Sequence, residues 1–210
     1  MMFGKLREIK TGLDKIRSWW INRNIAEEIA ETVLQHSKKV AKAASIYGQH
    51  FPDINLKKLV SMGKTHDFPE YKEKDYVPWE ISKEEKYKRE KAVMVELKDN
   101  LGEKWEALFA IWMEHEAWET QEAQIIKQLD QLDAAVQAME YEKLWYDNVG
   151  NFYPYALARL TDPVLIKILG ILLKREYLDV NTYDQYFFLL KCNWDEAIFK
   201  EKMKKYTDKK

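Results

Sequence analysis

The chain has 210 residues, 46% hydrophobic and 33% charged, which is enough apolar material for one domain, or one domain with an appendage, and carries no compositional sign of disorder. Its 34 basic and 35 acidic side chains leave a net charge of −1, excluding a broad electrostatic footprint for a nucleic acid polymer or an anionic membrane but not a local basic pocket for a small anion. A single cysteine, Cys192, excludes an internal disulfide and a Cys-based zinc knuckle, and the N-terminal "MMFGKLREIK" lacks an apolar signal-peptide core, so a cytoplasmic protein is expected.

The spacing predicts helices almost throughout. Leu6, Ile9, Leu13, Ile16 and Trp20 form one apolar stripe and predict a helix over 5–20. Ile25, Ile29, Val33, Val40 and Ala44 continue the rhythm over 25–49. "FPDIN" at 51–55 breaks it and offers Asp53 or Asn55 as the cap of a helix over 56–66. Residues 67–81, with Pro69 and Pro78, read as a loop or short broken helix. Ser82, with Glu85 at the capping-box position, starts the next helix, and the alternating charges of "KEEKYKREK" (83–91) read as a solvated face.

Two long helices follow, about 103–117 and 119–143, and "DNVGNF" (147–152) breaks the chain again. Residues 154–206 predict two or three further helices, ending in a frayed tail, "EKMKKYTDKK". Their apolar stretch "VLIKILGILL" (164–173) is interrupted by Lys167 and is about half of what a membrane-spanning helix needs. The aromatics Tyr153, Tyr155, Tyr177, Tyr183, Tyr186, Phe187, Phe188 and Trp194 are too many for a solvated appendage, so this part should pack on the core or on a second subunit. The class is all-α.

A metal site on helices needs N and O ligands that converge from different elements. His36 in "ETVLQHSKKV", His66 and Asp67 in "THD", and Asp130 in "IIKQLDQLD" lie on or at the ends of predicted helices.

The order His, then His-Asp, then a distant Asp resembles the HD phosphohydrolase superfamily. Within it, "THDFPEYKEKD" is similar to the HDxxE-plus-later-Asp pattern of the 5′-deoxynucleotidase branch. "EHEAWETQEAQIIKQLDQLDAAVQAMEYE" looks like that branch's last metal helix, "IRSWWINRN" like the Arg–Trp segment placed over the nucleotide, and "YDNVGNF" like the segment after the helix. The resemblance covers roughly residues 5–155. It implies an HD-domain helical bundle over 1–150 and a C-terminal helical extension over 151–210, packed on the core or on a partner in a homodimer.

Carried over, the resemblance implies one divalent transition metal ion, with Co, Mn, Fe, Ni and Zn not distinguished, held by His36, His66, Asp67 and Asp130. Glu70 would orient or deprotonate the attacking water, and Asp75 would sit at the sugar or work beside Glu70. Arg17 would contact the phosphate, Trp19 and Trp20 would pack on sugar or base, and Lys127 would join the substrate contacts. Lys74 stands where the branch has Gly before the later Asp. The implied reaction is hydrolysis of deoxyribonucleoside 5′-monophosphates to nucleoside and phosphate.

Two other readings stay open. A dNTP triphosphohydrolase would need more cations than Arg17 and Arg23 supply, with Lys72, Lys74 and Lys127 as further candidates. A non-catalytic nucleotide-binding HD protein is the other, although the intact Glu70 and ligand set favour an enzyme. His115 invites a dinuclear site, but di-iron relatives have two histidines between the HD pair and the last Asp, and this chain has one. His50 reads as a helix-end residue, and Asp133, three residues after Asp130, as a residue behind the ligands or in solvent.

Overall fold

A computed structural model describes residues 2–15, 17–77, 80–175, 180–193 and 195–207. The helices among them, in chain order, are α1 (Met2–Leu13), α2 (Ser18–Ile21), α3 (Val33–Tyr47), α4 (Leu56–Thr65), α5 (Lys83–Leu101), α6 (Glu103–Ala117), α7 (Gln121–Lys143), α8 (Phe152–Leu157), α9 (Pro163–Leu173), α10 (Thr182–Lys191) and α11 (Glu196–Thr207). Short 3-10 turns lie at Gly48–His50 and Phe68–Tyr71. The fold is all-α, and no helix among the described residues is long and apolar enough to cross a membrane. Ile16, Pro78, Tyr177 and Trp194, and the Leu6 side chain, lie outside what is described.

Two predicted helices are shorter than the apolar rhythm suggests. The first stops at Leu13, because Asp14 and Lys15 bend, Arg17 is extended, and both flanks bond residues 31–33: the Arg17 amide donates to Glu31 O at 3.1 Å and the Val33 amide to Lys15 O at 3.0 Å. The second starts at Val33 rather than at residue 25, because Thr32 and Gln35 close a full capping box. Ile29 is left 43% exposed outside the helix. Elsewhere the local signals hold: Asn55 caps α4 by accepting from the Lys58 amide at 3.1 Å, and Ser82 caps α5 by accepting from the Glu85 amide at 3.1 Å.

α3, α4 and α7 form the central layer. Their inward faces (Val40, Ala44, Leu59, Met62, Ile126, Leu129, Val136) share one buried cluster with Leu165, Ile168 and Leu169 of α9 and with Tyr186, Leu189 and Leu190 of α10. The C-terminal segment holds four helices where two or three were expected, and α8, α9 and α10 pack on the core. Its end is helical rather than frayed as far as Thr207, since Asp195 Oδ1 accepts from the Ala197 and Ile198 amides at 3.0 and 3.1 Å. α5 and α6 close the other side through Val93, Met94, Leu97, Trp105 and Trp112, packed on Ile9 and Leu13 of α1.

The α3–α4 crossing is tight. A Cβ on Gly63 would lie 3.0 Å from Ala41 Cα and 3.3 Å from Ile126 Cδ1. Glycine lets the two backbones approach, and three residues later α4 delivers His66 against His36 of α3.

Candidate active site

His66 caps the C-terminal end of α4, and its Nδ1 sits 3.0 Å from Gly63 O. A carbonyl only accepts, so Nδ1 carries the proton and the Nε2 lone pair faces away from the helix. His36 is oriented in the same way by a different partner: its Nδ1 donates to Asp133 Oδ2 at 2.8 Å. The two Nε2 atoms then meet 3.4 Å apart, with Asp130 Oδ1 at 3.0 Å and Asp67 Oδ2 at 3.7 Å from His36 Nε2, and Asp67 Oδ2 at 3.2 Å from His66 Nε2. Asp67 Oδ2 is buried without a hydrogen bond. Of the four residues proposed as metal ligands from sequence, His36, His66 and Asp67 form one cluster of metal-ligand geometry, and Asp130 touches it through His36 Nε2.

Two imidazole Nε2 atoms and an unpartnered Asp67 oxygen face one point, with Asp130 beside His36, and a divalent first-row ion fits this N/O donor set. The proton affinities point the same way. Burial, the largest influence on His36, and Arg17 both oppose its protonation, yet Asp130 and Asp133 outweigh them and push its pKa up to about 10. Burial would raise Asp67 and Asp130, but His66 and His36 hold both carboxylates well below the usual range.

Above this centre lies a cavity of about 650 Å³. The 3-10 turn after the HD pair, with Pro69 in its first turn, places Glu70 on its wall, buried and with Oε2 unpartnered. Burial first, and then Asp75 and Asp67, raise the Glu70 pKa well above that of a free carboxylic acid. Asp75 is also buried on this wall, accepting from the Ser18 amide at 2.8 Å and lying 3.8 Å from Arg17 Nε. Lys74 has no positive φ, so the residue that replaces the branch's Gly needs no special backbone and Asp75 reaches the site.

Arg17 is buried on the cavity wall, with Nε and Nη1 making no hydrogen bond and only long ion pairs to Asp75 and Glu31. The two tryptophans part company. Trp20 is fully buried against Tyr141 and Phe152 and donates its indole N–H to Glu31 at 3.2 Å. Trp19 is half-buried and edge-on to Phe152 and Tyr155, which also line the cavity. Lys127 lines it too, 3.3 Å from Glu116 and 5.3 Å above the Trp118 ring.

Several cations named from sequence lie elsewhere. Arg23 bonds Asn151, Lys72 pairs with Glu96 at 2.6 Å, and Lys74 pairs with Glu80. His115 lies beside His66, with ring centroids 5.7 Å apart, but its Nδ1 meets Glu116 at 3.0 Å, and it joins no cluster of metal-ligand geometry among the described residues. His50 ends the first 3-10 turn against Leu190 O.

Five residues at or behind the site were missed or undervalued. Asp133 proves fully buried. Glu31 gathers Trp20, Lys39 and the Tyr141 hydroxyl at its side chain and amide. Trp118, left-handed at φ 62° between α6 and α7, forms part of the cavity rim. Lys86 lines the cavity, and Glu90 behind it is buried, so 83–91 is not a wholly solvated face. The signal was present: Val93, Met94 and Leu97 continue N-terminally, at helical spacing, onto Glu90 and Lys86.

A helical bundle that gathers two histidines and two carboxylates from three helix-bearing segments beneath an open cavity is the architecture of an internal metal centre. The model of the HD domain family matches residues 10–161, and the chain belongs to that family. It is 32% identical over 148 residues to a 5′-deoxynucleotidase HDDC2 of Dictyostelium discoideum, covering 67% of this chain and 74% of that one. With the Homo sapiens 5′-deoxynucleotidase HDDC2 it shares 29% over 158 residues, 73% of this chain and 76% of that one. Among solved structures, a conserved hypothetical protein from Pyrococcus furiosus superimposes with a TM-score of 0.62 at 25% identity, over 73% of this chain and 87% of that one. A predicted metal-dependent phosphohydrolase from Magnetospirillum magnetotacticum gives a TM-score of 0.66 at 19% identity, over 89% and 93%, a likeness of fold.

Proposed function

We propose that the protein is a metal-dependent 5′-deoxynucleotidase that hydrolyses deoxyribonucleoside 5′-monophosphates to nucleoside and phosphate. The observation that carries this reading is a buried Arg17 guanidinium, its Nε and Nη1 without hydrogen bonds, in the cavity that Asp67, Glu70 and Asp130 also line. The 5′-deoxynucleotidase relatives on both sides of 30% identity support the same reaction.

In this reading His36, His66, Asp67 and Asp130 hold one divalent ion. When bound, the ion supplies Lewis-acid neutralisation of phosphoryl charge and a more acidic water. Arg17 presents its two free N–H directions to the phosphate oxygens, a forked donor matched to that geometry. Glu70 Oε2 takes a proton from the attacking water, and its raised proton affinity suits that task. Asp75 keeps Arg17 and the Ser18 amide in place at the cavity wall. Trp19 packs on sugar or base, backed by the buried Trp20, and Lys127 guards the opposite rim beside Trp118.

A triphosphate substrate would find Lys86 and Lys127 in the cavity, but Arg23, Lys72 and Lys74 are engaged elsewhere, and the 5′-deoxynucleotidase relatives favour the monophosphate. The deciding assay is product analysis with added Mn, Co or Zn. Phosphate and deoxyadenosine from dAMP are expected; tripolyphosphate from dATP, or no turnover of either, overturns the reading.

We further read the chain as cytoplasmic and homodimeric, and residues 151–210 as an extension that folds with the HD core. Its lone cysteine suits a reducing compartment. Trp145, 93% exposed beside the half-exposed Leu144, offers a second copy an apolar contact. Light scattering of the full chain tests the dimer, and a monomeric mass removes it.

A further inference from the structure

Helix α5 sends into the cavity a lysine that no part of the HD motif accounts for. Lys86 Nζ lies 3.6 Å from Glu70 Oε1, and its side chain lines the cavity. One helical turn on, Glu90 sits 3.3 Å from the same ammonium and is itself buried. Glu90 accepts one long hydrogen bond from the ammonium, and Glu70 at 3.6 Å only balances its charge. An ammonium has three N–H donors to place. Glu70 Oε2 and the Arg17 Nε and Nη1 groups on the same cavity wall lack partners. Two cations from separate elements, α5 and the segment entering α2, therefore end in one cavity with donor capacity unspent.

That pattern calls for an anion with several acceptor oxygens. The terminal oxygens of a phosphate monoester number three, and a guanidinium fork takes two of them. A lysine acting as a point charge is the ordinary complement for another. We propose that Lys86 is a substrate-binding residue that grips a phosphoryl oxygen from the α5 side of the cavity, with the buried Glu90 as its brace. The assignment rests on the phosphohydrolase reading above and extends it to a residue outside the metal and HDxxE motifs.

The test is titration of the metal-loaded full chain with inorganic phosphate, as wild type, Lys86→Met, Lys86→Arg and Lys88→Met, with metal content and dAMP kinetics measured in parallel. Lys88 is an exposed lysine of the same helix and controls for the loss of one charge. Lys86→Met is expected to bind phosphate about 10-fold or more weakly and to raise KM for dAMP while keeping its metal. Lys86→Arg should recover most of the binding, and Lys88→Met should match wild type. Phosphate affinity unchanged in a metal-replete Lys86→Met protein overturns the assignment.

A second measurement does not depend on that variant folding. In wild-type protein with 13C-methylated lysines, the resonance missing from Lys86→Arg should shift when phosphate is added, and a stationary resonance overturns the proposal. If the wild type hydrolyses dAMP but Lys86→Met binds phosphate normally, Lys86 alone is misassigned. If phosphate binding depends on Lys86 but no deoxynucleotide is hydrolysed, the anion contact stands and the substrate reading falls.

Discussion

His36 and Asp133 form a buried pair in which Nδ1–H donates to Oδ2 at 2.8 Å, and this one bond aims the opposite nitrogen at Asp130, Asp67 and His66. Both residues are 0% exposed, so no water competes for the bond. Asp133→Asn keeps the shape but removes the charge that fixes the imidazole tautomer. Metal affinity should fall about 10- to 100-fold, as for other carboxylates behind metal-bound histidines. Metal retention after dialysis against graded chelator checks this, and wild-type retention would mean that Asp133 only fills space.

Glu70→Gln separates chemistry from binding. The amide occupies the same volume beside Lys86 but cannot take a proton. Metal content and phosphate affinity should stay near wild type, while kcat falls by about 10²-fold or more. Turnover at the wild-type rate would take Glu70 out of the mechanism.

His115 gives the metal-free protein an acid sensitivity of known sign. Burial, the largest influence, lowers its pKa from 6.5 to about 4 against the pull of Glu116. Between these values the unfolded chain binds the proton and the folded chain does not, so stability falls as pH drops from about 6.5 to about 4. The loss is on the order of 3 kcal/mol from such a shift. Urea unfolding across this range should show the slope in wild type and a flatter one in His115→Phe. The same variant should keep its full metal content, and a loss of half of it would argue for a dinuclear site.

Gly63→Val tests the helix crossing that builds the centre. The added Cβ meets Ala41 backbone at 3.0 Å, and backbone cannot swing aside as a side-chain tip can. Overpacking of this kind costs about 1–3 kcal/mol, and separating α4 from α3 should also weaken metal binding. A variant with wild-type melting temperature and metal content would show that the crossing is looser than the contact implies.

Much of the site is legible locally because a helix repeats every 3.6 residues and short caps act within one turn. Asn55, Ser82 and the His66–Asp67 pair at the end of α4 sit where their neighbours in sequence dictate. Thr32 and Gln35 were equally legible as a capping box, but the apolar rhythm of Ile25 and Ile29 masked them. The inward turn of Lys86 and Glu90 was hidden for a related reason, since alternating charge reads as a wet face unless the apolar stripe is followed back through it.

The sequence by itself determined an all-helical chain, the caps that start α4 and α5, and the choice of His36, His66, Asp67 and Asp130 as candidate ligands. Only the tertiary structure decided what no periodicity contains. Arg17 is extended rather than helical because its amide bonds Glu31, fourteen residues away. Trp20 rather than its neighbour Trp19 is sealed in because Tyr141 and Phe152 arrive from distant segments. Lys86 reaches Glu70, and Asp133 reaches His36, across helix packings. Periodicity tells which face of a helix is buried; which charge or ring it meets there depends on contacts between segments far apart in the chain, and these form only when the whole core closes.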